Sequence, residues 1–189
     1  MVSNELCSPS PSLFFLFTPG VQMVALNYQS NEEPMWLQQG FFIENGGCGY
    51  RLKPDEQNVK RKRFELRIIS GQHFPKQEID QSDIVDPYVK ISTFGVATDC
   101  SEHQTHSVHN NGLNPVWDSR IVIEISRPDL CLILFKVRDD DRYSRSNFLG
   151  QACFPVDVLQ PGYRHIKLRA KNGDFIHGTL FVHIKIENF

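Results

Sequence analysis

Cysteine is scarce and unpaired in this chain: five residues, Cys7, Cys48, Cys100, Cys131 and Cys153, scattered over 189 positions with no C-x-x-C spacing. An odd, dispersed set argues against a disulfide framework and a structural zinc site and points to reduced thiols. Long apolar runs are missing as well. The run near the start, residues 13–17, is five residues long, where a membrane-spanning helix needs about 20, and no basic segment precedes it as in a signal peptide. A cytoplasmic chain is expected. Neither sign of charge dominates, since 20 Lys and Arg face 22 Asp and Glu for a net charge of -2. Bulk nucleic-acid binding therefore has no electrostatic footing.

What charge there is lies in clusters. Acid is concentrated in two stretches, 80–86 and 139–141, and base in Lys60, Arg61, Lys62 and Arg63. Apolar alternation leads into the second acidic stretch and Phe148-Leu149 leads out, which reads as strand, acidic loop, strand. Asp139 and Asp141 are two apart, so on extended backbone their side chains point the same way. With both loops at one end of a sheet, Asp80, Asp86, Asp139 and Asp141 converge with Asn147. Clustered carboxylates repel one another unless a cation sits among them, and flexible loops offering only oxygen suit calcium.

Taken in order, residues 1–19 are Ser- and Pro-rich around the aromatic run and read as an unstructured leader. Residues 21–28 form a short, nearly continuous apolar run, as expected of a strand buried on both faces of a parallel sheet. Its partner strands are not in this sequence, so residues 21–54 are expected to be unstable or to pack loosely on the sandwich. Residues 40–54 are dense in glycine, and Asn45-Gly46-Gly47 tolerates positive φ; without a Lys-Ser/Thr pair or a following helix it is not read as a phosphate loop. From Phe64 the pattern turns all-β. Strands are expected over 64–68, 88–93, 104–108, 117–125, 130–137, 147–154, 163–168 and 179–186, with turns at 110–112, 127–129, 160–162 and 171–174. Eight short strands with regular turn signals indicate an antiparallel sandwich. Trp117 alternates with its neighbours as a core residue. His103, His106 and His109 recur every three residues, which puts successive rings on opposite faces of a strand, and they read as surface histidines rather than a zinc site.

Asp80 and Asp86 with Pro87-Tyr88-Val89-Lys90, then Asn114-Pro115-Val116-Trp117, then Asp139-x-Asp141 and Asn147-Phe148-Leu149-Gly150, resemble the calcium loops and Asn-Pro-x-Trp signature of C2 domains. Upstream, residues 22–29 and Asn45-Gly46-Gly47-Cys48-Gly49-Tyr50-x-Leu52-Lys53-Pro54 resemble the end of the catalytic barrel (the Y region) of phosphoinositide-specific phospholipase C, whose barrel runs directly into a C2 domain. Residues 67–72, 110–115 and 162–165 resemble that family's delta type.

The resemblance implies four segments: a leader over 1–19, a remnant of an α/β, TIM-like barrel over 20–53, a basic linker over 54–63 and an eight-stranded C2-type β-sandwich over 64–189. It implies Ca2+ as the metal, with carboxylates from Asp80, Asp86, Asp139 and Asp141 and main-chain oxygen from Ile84 and Asp140. Asn147 stands where Asp is common, which keeps an oxygen but removes a charge and weakens one of the sites. The family reaction is hydrolysis of phosphatidylinositol 4,5-bisphosphate. Its catalytic histidines and active-site metal ligands lie in barrel strands upstream of Val21, so no catalytic residue is expected here and the chain alone is expected to be inactive. An anionic phospholipid surface is the expected partner, along with the catalytic barrel in a full-length enzyme. Lys60, Arg61, Lys62 and Arg63 would add about 1 kcal/mol each near an anionic membrane; a solvated interdomain linker accounts for them equally well. Two other readings stay open: a free-standing, non-catalytic lipid- or protein-binding C2 module, and a calcium-independent structural C2 domain.

Overall fold

The computed structural model describes residues 26–51, 60–74, 84–140 and 147–188. The first element among the described residues is a helix, α1 (Glu33–Phe42), with an acidic residue and a proline in the first turn, which suit the positive end of the helix dipole and its free N–H groups. Trp36, Leu37 and Gly40 are its buried residues and form one stripe. A short 3-10 turn, Ile43–Asn45, follows, and the left-handed Gly46 ends it. Gly46 and Gly47 thus bear the positive φ expected of them, at 63° and 76°, and Gly49 shares it at 76°. The strand expected over 21–28 is described only in Leu26, Asn27 and Tyr28, which are irregular backbone entering a turn.

Eight antiparallel strands follow: β1 (Lys62–Gln72), β2 (Pro87–Phe94), β3 (Ser101–Gln104), β4 (Val116–Ile125), β5 (Leu132–Asp139), β6 (Phe148–Pro155), β7 (Gly162–Arg169) and β8 (Phe175–Asn188). Their order is β3-β2-β5-β6-β7-β8-β1-β4. Between β6 and β7 the ladder narrows to one pair, Gln151 with Arg169. There the sheet folds into two layers of four strands, which close over a shared core. Phe64, Leu66 and Ile68 of β1, facing Ile123 and Ile121 of β4 and Ile186, Ile184 and Val182 of β8, meet Val89, Ile91, Ile133, Phe135 and Val137 of the other layer. Trp117 is buried in this core at 3% exposure, its Nε1 donating to the Pro87 carbonyl at 3.0 Å; a buried indole N–H needs such an acceptor.

The third strand departs from expectation. It spans Ser101–Gln104, and residues 105–108 leave the ladder. The Val89 N–H donates to the Thr105 hydroxyl at 3.0 Å rather than to a backbone carbonyl, so a buried side chain interrupts the regular pairing. The segment stays tied to β2 through Thr105 N to Val89 O at 2.9 Å and Val108 N to Pro87 O at 3.1 Å.

The described part of the 20–53 segment is not loosely packed. On the outer face of β5 and β6, Leu132, Leu134, Phe148 and Cys153 form a second cluster with Trp36 and Leu37. Trp36 stacks on Phe148 at 5.0 Å and donates its indole N–H to the Lys171 carbonyl at 2.9 Å, and Glu33 pairs with Lys136 at 2.5 Å. Gly40 lies so close to β6 that an added Cβ would come within 2.8 Å of the Cys153 Cβ. Burial pushes the Cys153 thiol pKa up, which keeps it uncharged and unreactive.

Candidate functional site: the acidic end of the sandwich

Strand polarity brings the β1–β2, β3–β4 and β5–β6 connections to one end. Asp139 closes β5, lies opposite Pro87 of β2 and is 9% exposed. Its Oδ1 accepts the Asp86 N–H at 2.7 Å, its own N–H donates to the Asn147 carbonyl at 2.8 Å, and the Asp140 N–H donates to the Asp86 carbonyl at 3.0 Å. The first bond fixes the Asp139 carboxylate, and the other two tie the end of β5 to the backbone of Asn147 and Asp86. Four of the residues singled out from sequence, Asp86, Asp139, Asp140 and Asn147, are therefore assembled at one end. Ile84, two residues before Asp86, is 57% exposed. Asp80 and Asp141 lie outside the described residues. Among the described residues, no group of three or more His, Cys, Asp or Glu side chains is arranged to hold a metal ion.

Three further residues reach this cluster from the β3–β4 connection. Asn110 donates its backbone N–H to Asp86 Oδ1 at 2.6 Å, His109 Nδ1 lies 2.8 Å from Asp86 Oδ2, and the Ser107 hydroxyl donates to Asp140 Oδ2 at 2.5 Å. Asn110 sits at φ 53°, left-handed backbone that asparagine tolerates better than most residues. The connection is itself pinned on both sides: Asn111 N to Val85 O at 3.1 Å, Phe74 N to Gly112 O at 2.9 Å and His73 N to Leu113 O at 2.8 Å. His109 is exposed, as expected from sequence, yet it is engaged with a carboxylate rather than idle. The sequence marks residues 110–112 as a turn; the cue to their second role is an asparagine run in a loop between two acidic loops.

The basic stretch divides. Lys60 and Arg61 are exposed, whereas Lys62 and Arg63 are the first residues of β1. Lys62 pairs with Asp157 at 2.6 Å, and Arg63 lies 4.0 Å from Glu124.

The C2 domain family model matches residues 62–169. The chain belongs to the C2 family. A second model, the Y domain of phosphatidylinositol-specific phospholipase C, matches residues 7–56, so the chain has the Y-then-C2 order of the C-terminal region of these phospholipases. Human inactive phospholipase C-like protein 1 is 42% identical over 89% of the chain and 17% of its own length. Human 1-phosphatidylinositol 4,5-bisphosphate phosphodiesterase delta-1 is 40% identical over 92% of the chain and 25% of its own length. The chain thus spans a quarter or less of these relatives. The crystal structure of L. pealei PLC21 superposes with a TM-score of 0.81 at 28% identity, covering 93% of this chain and 24% of that one. A C2 domain of plant extended synaptotagmin 1 shares the fold at a TM-score of 0.56 and 19% identity, covering 67% of this chain and 95% of that one. Among the described residues no helix is long and apolar enough to cross a membrane.

The seam between Y segment and C2 sandwich carries a groove of about 730 Å³, lined by Trp36 and Gln39 on one side and Gln151, Cys153 and Arg169 on the other.

Proposed function

We propose that the C2 sandwich is a calcium-dependent membrane-targeting module that delivers the C-terminal end of a phosphoinositide phospholipase C to anionic phospholipid. The observation that carries this reading is the assembly of Asp86, Asp139, Asp140 and Asn147 at one end of the sandwich, offering oxygen donors and no thiolate. That donor chemistry fits calcium, which prefers carboxylate and carbonyl oxygen on adaptable loops. Asp86 and Asp139 would hold the ion by carboxylate oxygen, together with Asp80 and Asp141 from the flanking loops, and Ile84 and Asp140 by main-chain oxygen. Asn147 would hold a further ion more weakly. When bound, calcium would cancel the local negative field and offer coordination positions to lipid phosphate or carboxylate. The protein's own part is to hold the carboxylates in place: Asp139 by the Asp86 amide, Asp86 by Asn110 and His109, Asp140 by Ser107. Lys60 and Arg61 would add attraction to an anionic surface; Lys62 and Arg63, already facing acidic partners, would add less.

For the longer protein we propose the family reaction, hydrolysis of phosphatidylinositol 4,5-bisphosphate, with the catalytic barrel packed against this module. The relatives include proteins named as phosphodiesterases and proteins named as inactive at similar identity; the proposed membrane targeting requires no catalytic residue and fits a longer protein of either kind. The calcium-independent reading has one observation in its favour, since both Asp86 oxygens already accept hydrogen bonds or face His109.

Co-sedimentation with phosphatidylserine vesicles, in calcium and in chelator, tests the proposal beside an Asp139→Asn/Asp141→Asn chain. Calcium-dependent pelleting that the variant loses is expected. Equal pelleting under all conditions would move the contact to Lys60 and Arg61. No pelleting would leave a structural C2 domain.

A further inference from the structure

Three Asn-Gly pairs lie in the described residues: Asn45-Gly46, Asn111-Gly112 and Asn172-Gly173. Glycine has no side chain to shield its amide nitrogen or restrict its backbone, so this dipeptide is the one most open to attack on the preceding side-chain amide. The three pairs are held differently. The Gly46 N–H donates to the Ile43 carbonyl at 3.1 Å and the Gly173 N–H to the Ala170 carbonyl at 3.1 Å. Among the described residues, the Gly112 N–H donates to no acceptor. All three asparagine side chains are bonded: Asn172 Nδ2 donates to Asp174 at 2.6 Å, Asn45 Nδ2 to the Tyr50 carbonyl at 2.8 Å and Asn111 Nδ2 to the Asn114 carbonyl at 3.3 Å, while Asn111 Oδ1 accepts the Asn114 N–H at 3.0 Å. What sets the Asn111 pair apart is the attacking nitrogen, since the Gly112 N–H lacks the turn hydrogen bond that Gly46 and Gly173 make.

We infer that Asn111 is a modification site, converting by spontaneous deamidation to aspartate and its β-linked isomer within the loop that holds Asp86. The deprotonated Gly112 nitrogen bonds to Asn111 Cγ, the Cγ–Nδ2 bond breaks and ammonia leaves, giving a five-membered imide. Water opens the imide at either carbonyl. The balance is one water in and one ammonia out, with no change of oxidation state.

The site lies where a new charge matters. Asn110, the residue before it, donates the N–H that holds Asp86, and the Asn111 N–H itself is tied to Val85. Conversion places another carboxylate at the end already carrying Asp86, Asp139 and Asp140. The β-linked product also adds a backbone carbon between the anchors to Val85 and Phe74. The acidic end thereby gains negative charge with age, which raises its attraction for cations and its repulsion from anionic lipid. The modification itself does not depend on the cation-binding reading.

The test is peptide mapping by mass spectrometry of the whole chain held at mildly alkaline pH, natively and in urea. A turn hydrogen bond that must open before reaction slows it on the order of fivefold, so native Asn111 is expected to convert about fivefold faster than Asn45 and Asn172, and urea is expected to bring the three rates together. A native rate at Asn45 or Asn172 equal to or above that at Asn111 would overturn the inference, as would no conversion at Asn111. An unchanged lead in urea would also overturn it, by assigning the difference to neighbouring sequence rather than to the fold. The Asn111→Gln chain is expected to lose the early acidic species seen on ion exchange; its persistence would place the modification elsewhere.

Discussion

The two outer faces of the sandwich share strand geometry and differ in what meets them. On β5 and β6, Leu132, Leu134, Phe148 and Cys153 point away from the central core into Trp36 and Leu37 of α1. On the opposite face, made by β4, β1, β8 and β7, the outward residues stand in water and neutralise one another: Arg67 with Asp118, Arg120 with Glu65, Lys185 with Glu187. A ladder of rings runs beside them, His165 on Phe181 at 4.8 Å, Phe181 on Tyr163 at 5.7 Å and Tyr163 on His183 at 4.6 Å. The difference is written in the strands. In β4 buried and open positions alternate, as a half-solvated strand requires, whereas β5 begins with four buried residues in succession. A continuous apolar run in an otherwise alternating sheet marks the face that another element covers.

Perturbing the covered face should cost most. Trp36→Ala empties the centre of the helix–sheet cluster and is expected to destabilise the fold by about 3–5 kcal/mol, read as a lowered urea midpoint; a loss near zero would mean that α1 contributes nothing to the sandwich. Gly40→Ala comes next. Its new Cβ would press on Cys153, and overpacking of this kind costs about 1–3 kcal/mol. Adding Cys153→Ala to the same chain is expected to restore part of the loss, and an additive pair would place the strain elsewhere. On the open face, Arg67→Ala is expected to leave the unfolding midpoint unchanged at physiological salt, since exposed ion pairs are screened and contribute little. A clear drop there would show that the open face relies on its charges as the covered face relies on its apolar contacts.

Much of the sandwich was legible because its signals are local. Alternation located seven of the eight strands to within a few residues at most ends, and asparagine, glycine and proline marked the turns between them. The third strand was displaced because its limit depends on Thr105, whose buried hydroxyl takes the Val89 N–H; a threonine in a strand pattern carries no sign that its side chain will replace a backbone partner. α1 was missed for a related reason. Its buried residues, Trp36, Leu37 and Gly40, make too narrow a stripe over ten residues to stand out beside the glycines that follow. At the acidic end, carboxylate spacing indicated which side chains would gather. It did not indicate that Ser107, His109 and Asn110 would hold them, because those contacts cross from a connection distant in sequence.

Residue pattern alone determined the strand count, the antiparallel sandwich, the buried Trp117 and the clustering of acid in two loops, since each follows from period-two burial or from charges placed close along the chain. The tertiary structure decided which outer face is covered, that Lys62 and Arg63 belong to a strand and stand against acidic partners, and that the β3–β4 connection pins Asp86 and Asp140. Those outcomes depend on distances between segments far apart in the chain, and local propensity and periodicity carry no information about such distances until the layers have closed.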